Sequence, residues 1–276
     1  MCAGKKHVAL FSLVSLVMAI IRTVIIQYDM ENNDIKKDTY YLPDTAEVLI
    51  FTIAVFVFIV LFAVCAIMLG RKKVVTLDRS LGAVPAGSLV LAFALIGAAI
   101  VYVAFLVKGG WESRTMIGML ILVTTVLSFA KFIISGVHYD KTLKNSYHAI
   151  AAIAPIALCV LRLLGDFIRS SAAPLASSGA YRIVGLCVVL IYFLAEGKSY
   201  IAKMSGGTFY LFGYLSVFFL LVYSVPNLFM HCFGFFEFDY YTAYSVVDIG
   251  MAVYIIARLS SAKLDEEVKE EELVAC

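Results

Sequence analysis

Polar residues in this chain gather in short clusters, and between them run eight stretches that are almost wholly apolar. They cover Val8–Ile26, Val48–Leu69, Ser88–Val107, Thr115–Ile134, His148–Ile168, Ile183–Ile201, Phe209–Val225 and Tyr241–Leu259. A helix rising 1.5 Å per residue needs roughly 20 apolar residues to cross a hydrocarbon core of about 30 Å, and each stretch is near that length. The pattern predicts an all-α, polytopic transmembrane helix bundle of eight spans. Residues 1–259 form its single domain and residues 260–276 an acidic tail. The sixth span is the weakest, because Glu196, Gly197 and Lys198 interrupt its last turns. Pro155 inside the fifth predicts a kink, with a carbonyl freed one turn earlier.

Composition reinforces the class. Hydrophobic residues make up 62% of the 276 and charged ones 15%, against about 25% charged in an ordinary soluble domain. Eight spans leave no room for a separate soluble domain of about 100 residues. Lys5 and Lys6 ahead of the first span resemble the head of a secretory signal, but the run is long and no small-x-small site follows it. An uncleaved first helix is expected.

Basic residues divide unevenly between the two sides. Lys5, Lys6, Arg71, Lys72, Lys73, Arg79, Lys141, Lys144, Lys198, Lys203, Arg258, Lys263 and Lys269 fall on one, and Lys36, Lys37, Lys108, Arg114, Arg169 and Arg182 on the other. That bias predicts cytoplasmic amino and carboxyl termini in a plasma or bacterial inner membrane. The outer loop from Gln27 to Glu47 is acidic. The aromatic loop from Pro226 to Tyr240, with Phe229, Phe233, Phe235, Phe236 and Phe238, suits a segment lying at headgroup level. The tail can form a short solvated helix, with Lys263 and Glu267 four residues apart.

Ionisable residues inside a bilayer are the candidates for function. Taken from the span centres at the helical rise, Arg22 lies roughly 7 Å toward the outer side, Arg162 about 6 Å and Asp248 about 3 Å. Asp166 stands one turn beyond Arg162, on the same helix face. Two cations and two anions in one leaflet predict a converging, self-neutralising cluster of Arg22, Arg162, Asp166 and Asp248, with Asp248 deepest. The plainer alternative takes Arg22 and Asp166 out to the interface. A second pair, Lys131 and Glu196, lies roughly 6–10 Å to the inner side. Its plain alternative is a snorkelling lysine and a loop glutamate.

Other chemistry finds little footing. The six cysteines form no C-x-x-C pair, and those inside spans act as small apolar residues. His7, His138, His148 and His231 lie at span ends or in loops without metal spacing. Ser135-Gly136 with His138 has the wrong spacing for an intramembrane nucleophile and base. Gly109-Gly110 and Gly206-Gly207 are too short to cradle phosphate. No cofactor or metal is expected, an enzyme is the least supported class, and scattered basic residues give no reason to expect a nucleic-acid partner.

The segments Ala154-Pro-Ile-Ala-Leu-Cys-Val-Leu-Arg-Leu-Leu-Gly-Asp-Phe167, Tyr210-Leu-Phe-Gly-Tyr-Leu215 and Ser224-Val-Pro-Asn-Leu228 resemble uncharacterised multi-span membrane proteins of clostridia-type gut bacteria. The resemblance implies a bacterial inner-membrane protein and carries no activity. Two functions follow as expectations. One is a transport or sensing bundle for a small polar ligand or ion. The other is a membrane scaffold or subunit for a partner protein, whose buried charges are structural.

Overall fold

The computed structural model describes residues 3–32, 46–70, 73–77, 83–109, 116–137, 145–172, 177–201, 204–235 and 240–266. Among the described residues, nine helices and two short strands run in the order α1 (Ala3–Asn32), α2 (Ala46–Gly70), β1 (Lys73–Leu77), α3 (Ala83–Gly109), α4 (Met116–Val137), α5 (Asn145–Ala151), α6 (Ile153–Ala172), α7 (Ser177–Ser199), α8 (Gly206–Cys232), α9 (Tyr240–Ser261) and β2 (Ala262–Glu266). Eight of these helical segments are long and apolar enough to cross a membrane, α5 and α6 together supplying one of them. The molecule is an all-α integral membrane bundle, multi-pass, whose surroundings are lipid.

The last two long helices occupy the middle. In their spanning windows 67% of α8 and 78% of α9 is buried, against 17% of α2. Around this pair, α1, α2 and α7 pack on α8, and α3 packs on α9. α4 and α6 close the side beyond α3 and α7. Aromatic side chains fill the joints. Phe11 of α1, Phe62 of α2 and Phe218 of α8 meet with ring centroids 4.8 and 5.5 Å apart across Phe62. Phe132 of α4 meets Tyr254 of α9 at 4.9 Å. Outward-facing Phe56, Phe93, Met68 and Val24 are exposed, as suits a surface solvated by acyl chains. Hydroxyls along the helices bond back to the preceding turn, as Ser15 Oγ does to the Phe11 carbonyl and Thr23 Oγ1 to that of Ala19, both buried. An apolar helix can carry them because that bond needs no water.

Three expectations change. The fifth span is interrupted at Ala152, one turn before Pro155, rather than merely kinked. Proline cannot bond the Ala151 carbonyl, and its ring is better accommodated in the first turn of a new helix. The sixth span holds through its weak last turns: α7 continues past Glu196, Gly197 and Lys198 to Ser199, and Glu196 is fully buried. The seventh runs past Pro226 to Cys232, absorbing the start of the expected aromatic loop. The tail begins as a strand instead of a helix. β2 pairs antiparallel with β1 in the register Lys73↔Glu266 to Leu77↔Ala262. The Val75 N–H also donates to the Met204 carbonyl at 3.0 Å, so this ribbon ties α2, α8 and α9 together at the end where α1 begins. The acidic loop over residues 33–45, the aromatic positions 236–239 and the tail from residue 267 lie outside the described residues.

Below the ribbon, α2 and α8 nearly touch through glycines. A Cβ added to Gly70 would stand 1.8 Å from the Gly207 nitrogen, whereas one on Gly97 meets nothing within 4 Å. Small residues let membrane helices approach this closely. Gly70→Ala is expected to cost about 1–3 kcal/mol through forced separation. Gly97→Ala should be neutral. Thermal unfolding of the two purified variants checks the contrast.

Candidate functional sites

The described ionisable groups inside the bundle form two layers, one in each half. The layer far from the termini gathers around three consecutive residues of α8: Val222, Tyr223 and Ser224. Each holds one strand of the network.

Ser224 stands beside the deepest pair. Arg162 of α6 grips Asp248 of α9 with both ends of its guanidinium, Nη1 to Oδ1 at 2.6 Å and Nη2 to Oδ2 at 2.9 Å. Both residues are buried, and the Ser224 hydroxyl donates to Oδ2 at 3.5 Å. The Arg162 guanidinium also lies 4.8 Å from the Tyr244 ring centre. A bidentate charge-assisted pair of this kind fixes both distance and orientation between two helices.

Tyr223 belongs to a second pair. Asp166, one turn along α6 from Arg162, is held by Arg182 of α7 at 2.6 Å, and Arg182 Nη1 donates to the Tyr223 hydroxyl at 3.3 Å. Asp166 is therefore buried against α7, not extended to the interface. Arg182 is the member that charge counting assigned to an outer loop. With it the layer holds, among the described residues, three arginines and two aspartates.

Val222 supplies a backbone oxygen. Pro226, four residues on, has no N–H to give to that carbonyl, and Arg22 of α1 fills the vacancy, Nη1 to the Val222 oxygen at 2.8 Å. Its guanidinium packs 4.2 Å from the Tyr181 ring centre, beside a small pocket lined chiefly by Ile25, Ile26, Val48, Phe51 and Thr52. Arg22 thus joins the same layer but not the same contact. The expected four-way convergence resolves into Arg162–Asp248, Asp166–Arg182 and Arg22–Val222 around one turn of α8.

A buried polar atom stripped of its partner loses about 1–3 kcal/mol. Arg22→Met should be destabilising by that amount because the Val222 carbonyl is then orphaned. In a Pro226→Ala background an N–H returns to bond that carbonyl, and most of the cost should vanish. Unfolding of the two single variants and the double variant measures this; equal loss in both backgrounds would refute the assignment.

The second layer lies near the ribbon and joins α4, α7 and α9. Glu196 and Lys131 are both buried, so neither the loop glutamate nor the snorkelling lysine survives. Arg258 of α9, counted from the sequence as a cytoplasmic loop charge, is buried as well and donates from Nε to Glu196 Oε1 at 2.9 Å. The hydroxyls of Tyr200 and Tyr254 donate to the same oxygen, Tyr200 at 3.0 Å, and Arg258 Nη2 bonds Tyr200. Lys131 does not bond Glu196 directly. Its ammonium sits among the rings of Phe132, Phe193 and Tyr254, at 4.4, 5.3 and 5.7 Å from their centres.

Among the described residues no group of three or more His, Cys, Asp or Glu side chains is placed to hold a metal, and Cys65, Cys159, Cys187 and Cys232 are free thiols. In the first layer the Ser224 hydroxyl meets the Asp248 carboxylate, whose two oxygens Arg162 already holds. The second layer is built from an ion pair and tyrosine hydroxyls. What both can do is hold charge, relay a hydrogen bond or change partners when helices shift. No family model, no curated protein and no solved structure matches this chain.

Proposed function

We propose that the protein is a transport or sensing bundle for a small ligand or ion in a bacterial inner membrane, with cytoplasmic termini and α9 as its working helix. One observation carries the reading: α9 contributes a buried charge to each layer, Asp248 to one and Arg258 to the other. Ten residues of helix separate them by about 15 Å. Between them, Met251, Ala252 and Ile255 are apolar and buried. Two polar layers with a dry layer between are the arrangement a pathway needs if one side is to open while the other stays shut. Charged residues cost roughly 2.5–3.5 kcal/mol each on insertion scales, and interhelical polar contacts return about 0.6 kcal/mol on average. Cohesion alone is a poor reason to hold so many of them. The excess of basic residues at the terminal end supports the orientation.

The completeness of the Arg162–Asp248 pair favours a second reading, a scaffold or partner subunit in which that pair sets helix register. Asp248→Asn and Arg162→Gln separate the two when membrane abundance is measured beside growth or solute flux. Normal abundance with lost flux supports the pathway. Reduced abundance with no flux phenotype supports the scaffold.

A further inference from the structure

The layer near the ribbon is incompletely bonded. Glu196 Oε1 is saturated by Tyr200, Tyr254 and Arg258. Among the described residues four buried polar atoms of this layer have no partner, Lys131 Nζ, Arg258 Nη1, the Tyr192 hydroxyl and Glu196 Oε2, and the Ser128 hydroxyl one turn from Lys131 has none either. Lys131 and Arg258 can only donate, Glu196 can only accept, and the Tyr192 hydroxyl can do either. Buried polar groups in folded proteins are almost always bonded, so such a cluster marks a place where something else binds.

Charge narrows what that is. Lys131 and Arg258 bring two positive charges and Glu196 one negative, which leaves the layer at +1. Water would satisfy the hydrogen bonds but leave that charge uncompensated in a medium of low dielectric constant, an expensive state. The aromatic rings around Lys131 attract its charge and offer it no hydrogen-bond acceptor. A single negative charge settles both deficits together. A divalent oxyanion would reverse the imbalance and ask for more room.

We propose that α4, α7 and α9 enclose a binding site for one small monovalent anion, a halide or the carboxylate of a short acid. Lys131 Nζ, Arg258 Nη1 and the Tyr192 hydroxyl hold it. Lys131 has three N–H bonds, enough to serve both Glu196 Oε2 and the anion. Glu196 anchors Arg258 directly, attracts Lys131 by its charge and excludes a second anion by repulsion. The site lies toward the end of the bundle richest in lysine and arginine, whose field draws anions inward. The inference concerns binding and does not depend on the transport reading, since a resident counter-ion satisfies it equally.

The test is thermal unfolding of the purified full-length protein in detergent, in sodium sulfate with sulfate replaced stepwise by chloride, bromide, formate or acetate at constant ionic strength. A saturable rise of several degrees in the midpoint is expected with at least one of the four. The halide and carboxylate arms show which kind of anion fits. Tyr192→Phe removes one hydroxyl and should raise the half-saturating concentration several-fold while the protein still folds. Lys131→Met should abolish the response. A wild-type midpoint indifferent to anion identity would overturn the proposal and leave a hydrated site. So would a response unchanged in Tyr192→Phe, which would place the anion elsewhere.

Discussion

Glu196→Leu is expected to remove folded protein from the membrane more completely than any other single substitution in either ionic layer. Its Oε1 accepts from Tyr200, Tyr254 and Arg258 at once, and leucine ends all three bonds. Two buried cations, Arg258 and Lys131, then lose the carboxylate that offsets them. Breaking one buried pair from one side costs about 3–5 kcal/mol, and here one carboxylate offsets part of the charge of two cations. Whole domains are stable by only about 5–15 kcal/mol. Glu196→Gln keeps an acceptor in place but loses the charge, so an intermediate loss is expected. Membrane abundance and the denaturant midpoint of whatever protein is recovered measure the series. Wild-type behaviour of the leucine variant would mean that the layer is not closed.

Arg162→Met and Asp248→Leu should each lower stability by about 3–5 kcal/mol, for the same reason applied to one pair. The double variant is expected to recover much of that loss. With both charges gone, neither is left buried without its counter-charge, and two apolar side chains can fill the gap between α6 and α9. The remainder belongs to Ser224, which loses the Oδ2 it bonds at 3.5 Å, and to imperfect packing. Reversible unfolding in bicelles supplies the three free energies. Strict additivity would show that Arg162 and Asp248 are energetically independent, contrary to the 2.6 Å and 2.9 Å contacts.

Much of the architecture was legible because membrane helices announce themselves by length and apolarity, and those properties are local. The eight spans could be read that way, and Asp248, a short side chain deep in its span, had nowhere else to go in lipid, whereas Arg22 and Asp166 could as well have reached the interface. What the sequence hid was partnership, which depends on helix rotation and on neighbours far along the chain. Arg182 sits one residue before an expected span boundary and Arg258 one residue before the other end of a span, so both counted as loop charges. Each is the partner that completes a layer. Glu196-Gly-Lys198 looks like an interruption by composition. Packing against α4 and α9 overrides that, because Arg258 and two tyrosines make the carboxylate cheaper inside than its hydropathy suggests. Pro226 reads as a stop signal. It is a helix-interior residue all the same, and Arg22, some 200 residues away in sequence, satisfies the carbonyl that it orphans. The β1–β2 ribbon left no visible mark, since five residues per strand carry too short a pattern, and the pairing joins Lys73–Leu77 to a segment at the other end of the chain.

The measurement closest to the central claim, that both ionic layers are enclosed by protein, is thiol accessibility in native membranes. It begins from a version lacking all six cysteines, with single cysteines placed at Ser224 beside one layer, at Ser128 one turn from Lys131, and at Val160 on the exposed surface of α6. Ser224 and Ser128 are fully buried, whereas Val160 is 46% exposed. A lipid-soluble maleimide should label position 160 at once and leave 224 and 128 unlabelled until the bundle is unfolded in detergent. Rapid labelling of 224 and 128 by that reagent in the folded protein would instead show that these charges face acyl chains.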